Sequence, residues 1–236
     1  MRRWLRFVVD PANEVARLLW AVLIVALLAW AFVAVASEVM EGETTAFDHY
    51  LASLFRSASA PRALRGPPWL QNAMINLSAL GSTPVLVLVT VLAAGLLALR
   101  GSGRVALMMI GSCAAGAVVM TQLKQLIGRA RPDALPDSIV VHGLSFPSGH
   151  ASMSALVYLT LGALLASTRG DHAERLYVVG VAVVLAGLVG LTRVYLGAHW
   201  ATDVIAGWTF GAAWALAWLA ASRFVRWKFG DAGSTR

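Results

Sequence analysis

The sequence predicts an all-α protein: a six-helix transmembrane bundle with an interfacial helical segment on the outer face between the first and second spans. Two observations carry that fold class. Hydrophobic residues make up 58% of the chain against 13% charged, and mean hydropathy is +0.71. A soluble globule has no use for so much apolar surface. Charge is also distributed in blocks. Six stretches, about 18–36, 75–99, 105–123, 151–167, 176–191 and 200–221, together hold one charge, Asp203. Each approaches the roughly 20 residues a helix needs to cross hydrocarbon. The whole chain, 1–236, reads as one integral membrane domain with a motif-bearing core over 124–203.

In order, Met1 to Arg17 carries Arg2, Arg3, Arg6 and Arg17, with Trp4, Leu5 and Val8 on a plausible helical face, and reads as a basic segment on the membrane surface. Leu18 to Ala36 is long enough to span, so a resemblance to a cleaved secretion signal gives way to a retained anchor. In the connection from Ser37 to Asn72, Phe47, Tyr50, Leu51, Leu54 and Phe55 recur at helical spacing, with Asp48, His49 and Arg56 off the stripe. That pattern predicts a helix in the outer interface, either a packing element over the bundle or a lipid access surface. Pro61, Gly66, Pro67 and Pro68 then break it. Cys113 is the single cysteine, which excludes an intrachain disulfide.

Basic residues set the orientation. An inside N-terminus places twelve inside (Arg2, Arg3, Arg6, Arg17, Arg100, Arg104, Arg169, Arg175, Arg223, Arg226, Lys228 and Arg236) and seven outside (Arg56, Arg62, Arg65, Lys124, Arg129, Arg131 and Arg193). The bias fits the positive-inside rule. Both termini are then cytoplasmic, in an inner membrane, and the segment 124–150 and the turn 192–199 share the periplasmic or exterior face. The net charge of +7 is accounted for by orientation; the cations are scattered singly, with no basic run that would bind nucleic acid.

The polar stop Phe146-Pro147-Ser148-Gly149-His150 sits between two apolar segments. Ser148 suits a helix N-cap, Gly149 lets a ligand approach the backbone, and the N–H groups of a helix start bind anions. His199 and Asp203, four apart at the head of the last span, are expected on one helical face. The carboxylate would fix the tautomer of His199 and leave its other nitrogen as base or nucleophile. Lys124, Arg131 and Arg193 bring cations to the same face, and guanidiniums bind tetrahedral oxyanions in a bidentate way. Two imidazoles, three cations and an anion-binding helix end point to phosphate. His142, His49 and His172 fall outside this set, as loop, interface and inner-loop residues. No Cys/His ligand set or carboxylate cluster calls for a metal, and no cofactor is expected.

Lys124-x6-Arg131-Pro132, Pro147-Ser148-Gly149-His150 and Arg193-x5-His199-x3-Asp203 together resemble the three-part signature of the type 2 phosphatidic acid phosphatase family. The six-span layout extends the resemblance over nearly the whole chain. Thr192 departs from the pattern, which usually has serine before the last arginine. The resemblance implies a metal-independent membrane lipid phosphatase with a phosphohistidine intermediate. By analogy His199 attacks phosphorus, Asp203 orients it, and His150 protonates the leaving oxygen and then activates water. Lys124, Arg131, Ser148, Gly149 and Arg193 would hold the equatorial oxygens. The expected substrates are undecaprenyl diphosphate, phosphatidylglycerophosphate or phosphatidic acid, met at the bilayer. A phosphotransferase passing the group to an acceptor such as lipid A is the alternative. The vanadium haloperoxidases share the motif set but are soluble, and a non-enzymatic anion binder would not need a carboxylate dedicated to one of two histidines.

Overall fold

The computed structural model describes residues 14–57, 63–132 and 143–229. Of the residues discussed above, the segment before position 14, Pro61, Arg62, His142 and Arg236 lie outside the described residues. The helices are α1 (Glu14–Glu41), α2 (Thr45–Leu54), α3 (Pro68–Ala79), α4 (Thr83–Leu99), α5 (Gly103–Ile127), α6 (Gly149–Ser167), α7 (His172–Tyr195) and α8 (Ala201–Phe229). Among the described residues there is no strand, only an isolated antiparallel bridge between Arg56 and Leu64. Helices α1, α5, α6, α7 and the first 23 residues of α8 are each long and apolar enough to cross a membrane.

The predicted span over 75–99 is instead two helices, α3 and α4, which pass the same test as one span bent by 48°. The break has local causes. Pro84 in the first turn of α4 has no N–H to donate to an upstream carbonyl, which favours a helix start there. A carbonyl left at a break inside the apolar layer needs another donor. The Tyr158 hydroxyl of α6 supplies one, donating to the Leu80 carbonyl at 2.7 Å.

Helix α6 is the centre, packed between α7 and α8, with α1 on the far side of α8, α5 against α4 and α3 against α7. Its buried residues include the small Ala151, Ser152, Ser154, Ala155 and Gly162 beside Leu156, Val157 and Tyr158. In lipid, helices associate through close packing and interhelical hydrogen bonds, so small residues matter at contacts. Gly207 of α8 has no room for a side chain: a Cβ there would lie 3.0 Å from the Ser148 carbonyl oxygen. The α8 tryptophans add interhelical bonds. Trp208 Nε1 donates to the Ala186 carbonyl of α7 (3.0 Å), and Trp214 and Trp218 donate to the Ser112 and Met108 carbonyls of α5 (3.1 and 2.9 Å). Leu, Val and Trp side chains are exposed on the outward faces of α1, α4 and α7, as a lipid-facing surface requires.

Helix α2 forms where the spacing predicts, but its faces are partly inverted. Phe47, Tyr50 and Leu54 are exposed, Leu51 and Phe55 pack inward beside Val194 and Val204, and Asp48 is buried. The cause is polar. Asp48 Oδ2 accepts from Arg129 and from the Thr202 hydroxyl, both at 2.6 Å, and Oδ1 accepts from the Thr202 N–H at 3.0 Å. A buried carboxylate is tolerated only when its oxygens are met in this way.

Candidate active site

One end of the bundle gathers the polar residues. Lys124 occupies the last turn of α5, and Gly128, in the left-handed region at φ 66°, turns the chain out of the helix. Residues 129–132 and 143–148 then run side by side, linked by the Ser145 N–H to the Arg129 carbonyl at 2.8 Å. The segment 143–148 leads into α6 through a cis Phe146–Pro147 bond. Ser148 is the N-cap, its hydroxyl oxygen accepting from the Ala151 N–H. Gly197, at φ 72°, makes the corresponding turn between α7 and α8.

His199 lies in that second turn rather than on α8, so the expected shared helical face is replaced by a carboxylate reaching back from the first turn of α8. Asp203 Oδ2 accepts from the Ser145 hydroxyl in a short bond, accepts from the Trp200 N–H at 2.9 Å, and stands 3.4 Å from His199 Nδ1. Its Oδ1 accepts from Arg129 Nη1 at 2.6 Å. With Nδ1 turned to a carboxylate, the hydrogen belongs on Nδ1 and the lone pair on Nε2. That Nε2 lies 3.1 Å from Arg131 Nη1. Burial pushes the His199 imidazole down to about 4, against the opposing pull of Asp203 and together with the cations of Arg131 and Lys124.

The other residues named from the sequence surround this pair. Arg131 is held by carbonyls, with Nε donating to Gly143 (2.9 Å) and Nη1 to Ala198 (2.7 Å). Lys124 Nζ donates to the Leu144 and Ser145 carbonyls at 3.0 and 3.3 Å. Arg193 is buried in the last turn of α7, with Nη1 donating to Ser78 of α3 at 2.8 Å. His150, in the first turn of α6, is within electrostatic reach of Arg193, His199, Arg131 and Lys124. Gly149 sits against the Lys124 stem, where a Cβ would meet Lys124 Cε at 3.9 Å. The Ser148 N–H is spent on the Asp203 carbonyl at 3.0 Å, so the backbone donors offered by this helix end are those of Gly149 and His150. The Thr192 hydroxyl donates to the Val189 carbonyl at 2.6 Å, within its own helix.

Arg129, Ser145, Asp48 and Ser78 were not singled out as site residues by sequence reasoning. Arg129 stands two positions before Arg131, the one available signal; the other three carry no spacing cue. An apolar cavity of about 490 Å³ runs from Gly149 and His150 between α4, α5 and α6, past Leu86, Val87, Ile110 and Met153. Among the described residues no group of three His, Cys, Asp or Glu side chains is placed to hold a metal ion.

Residues 105–227, more than half of the chain, match the PAP2 superfamily, and the chain belongs to it. It is a multi-pass membrane protein and a lipid phosphatase, a hydrolase. Among its relatives is phosphatidylglycerophosphatase B of Bacillus subtilis (strain 168), 35% identical over 152 residues that cover 61% of this chain and 71% of that one. An undecaprenyl-diphosphatase of Sulfolobus acidocaldarius is 42% identical over 67 residues, 28% of each chain. The fold matches the crystal structure of the transmembrane PAP2-type phosphatidylglycerolphosphate phosphatase from Bacillus subtilis with a TM-score of 0.75 at 27% identity, over 85% of this chain and 96% of the other.

Proposed function

We propose that this protein removes phosphate from a membrane lipid phosphate or diphosphate at the outer face of an inner membrane, without a metal, through a phosphohistidine on His199. The observation that carries the reading is the oriented imidazole: Nδ1 faces Asp203, and Nε2 carries the lone pair and accepts from Arg131 Nη1 at 3.1 Å, a contact that an incoming phosphoryl oxygen can take over. In the first step Nε2 forms a bond to phosphorus while the bond to the lipid oxygen breaks, and His150 gives that oxygen a proton. In the second, His150 takes a proton from water, the water oxygen attacks phosphorus, and the N–P bond breaks to release phosphate. Asp203 stabilises the positive charge on His199 in between.

Lys124, Arg131, Arg193, the Ser148 hydroxyl and the backbone N–H of Gly149 bind the phosphoryl oxygens. Phosphoryl transfer places charge on the equatorial oxygens, so catalysis is chiefly positioning and electrostatic stabilisation. A bound phosphate also sets negative charge against the cations around His150. The apolar cavity beside His150 supports a substrate with long hydrocarbon chains, in keeping with undecaprenyl diphosphate, phosphatidylglycerophosphate or phosphatidic acid.

Purified protein in detergent, assayed against those three lipids with and without chelator, tests the reading. Phosphate release from at least one of them is expected to survive chelation and to vanish in His199→Ala. Release abolished by chelator, or undiminished in His199→Ala, would sink it.

A further inference from the structure

Asp203 is tied at the far side from His199 by a residue that the phosphate chemistry does not use. Arg129 forks between two carboxylates, with Nη1 2.6 Å from Asp203 Oδ1 and Nη2 2.6 Å from Asp48 Oδ2. The same two nitrogens also reach the hydroxyls of Thr202 (2.8 Å) and Thr44 (3.4 Å). Asp48 in turn accepts from the N–H and hydroxyl of Thr202, next to Asp203 in the chain. The guanidinium carbon lies 5.6 Å from the Trp200 ring centroid, and Trp200 donates its own N–H to Asp203. With both terminal nitrogens so engaged, Arg129 is turned to the carboxylates.

We infer that Arg129 is a positioning residue for the attacking imidazole: pinned by Asp48 of α2, it fixes the rotamer of the Asp203 carboxylate that orients His199. The inference rests on the phosphohistidine reading above. Three contacts leave Asp203 little freedom: Ser145 and the Trp200 N–H hold Oδ2, and Arg129 holds Oδ1. Removing the Oδ1 contact frees the carboxylate to rotate, and with it the imidazole that Nδ1 follows. It also removes the cation nearest Asp203, so the carboxylate attracts a proton on His199 more strongly. The other charged or titratable groups facing His199 are Arg131 and Lys124 from the α5 side and His150 from α6.

The test uses the full-length protein in detergent with phosphatidic acid, phosphatidylglycerophosphate and undecaprenyl diphosphate as probes. Arg129→Gln is expected to lower kcat by ~100-fold, the scale of a small misplacement of a reacting group, with KM changed less than about threefold. NMR of isotope-labelled histidine is expected to show the His199 titration midpoint rising by about one pH unit, as an opposite charge nearby does when less compensated. Arg129→Lys keeps the charge but not the fork, so the midpoint returns towards wild type while kcat stays low. Asp48→Asn, which keeps the inner arm, gives a smaller loss in the same direction, and either of these carries the test if Arg129→Gln does not fold.

Wild-type kcat and midpoint in the variants would overturn the inference. A rise confined to KM would also overturn it, making Arg129 a phosphate ligand, as would a fall in kcat matched by loss of folded protein with the midpoint unmoved. If wild type is active on none of the three lipids, or His199→Ala is active, the parent reading has failed instead.

Discussion

His199 shows how much a single residue can reveal at the level of sequence. An imidazole four positions before the one charge in any span already invites a pairing, and the structure brings Asp203 to Nδ1 at 3.4 Å. The partners that make the pairing firm were hidden from sequence reasoning. Ser145 meets Asp203 across 58 positions, and Arg129 meets Asp48 across 81, separations that no periodicity reports. Burial holds the His199 imidazole at about 4, below the ordinary 6.5. The sign follows directly: the folded state binds fewer protons than the unfolded one between those values, so acidification through that window destabilises the fold, while above it His199 is neutral and able to attack. Histidine NMR, assigned with a His199→Gln variant, should therefore show His199 neutral with its hydrogen on Nδ1 until the pH nears 4. A midpoint at 6.5 would contradict the desolvated, carboxylate-paired state.

At the scale of elements, length and apolarity are enough to locate the spans, but they do not show where a span breaks. The stretch 75–99 reads as one helix because Gly81, Ser82 and Pro84 are all compatible with a membrane helix when neighbours satisfy the backbone. Pro84 favours a restart there, and Tyr158, on another helix, makes the break tolerable by donating to the freed Leu80 carbonyl. Gly81 lies at the break, and a Cβ there would meet His150 Cβ and Cδ2 at 3.3 Å and press still harder on Val189. Gly81→Ala is expected to cut kcat by ~10-fold or more by displacing His150, and to lower thermal stability as well through the clash with the buried Val189. Unchanged turnover would mean that the break does not set the position of His150. The partly inverted face of α2 has the same origin as the break: a buried polar contact, Asp48 with Arg129 and Thr202, outweighs the apolar stripe.

For the whole molecule, the membrane explains both the composition and the layout of charge. Lys124, Arg129, Arg131 and Arg193 lie at one end of the bundle, joined there by Arg56, whose Nη1 donates to the Tyr195 carbonyl at 2.9 Å. The positive-inside bias predicts that this end faces outward. In a Cys113→Ala background, a cysteine at Gly143 should react with an impermeant maleimide on intact cells and one at Gly101 should not; the reverse pattern would invert the topology. The central claim is that His199 carries the phosphoryl group. Rapid quench of enzyme with a lipid phosphate labelled at phosphorus measures this most directly. The account predicts an acid-labile, base-stable phosphoryl adduct on His199 that forms and decays within turnover and is missing from His199→Ala. Turnover with no such adduct, or with the label on another residue, would contradict it.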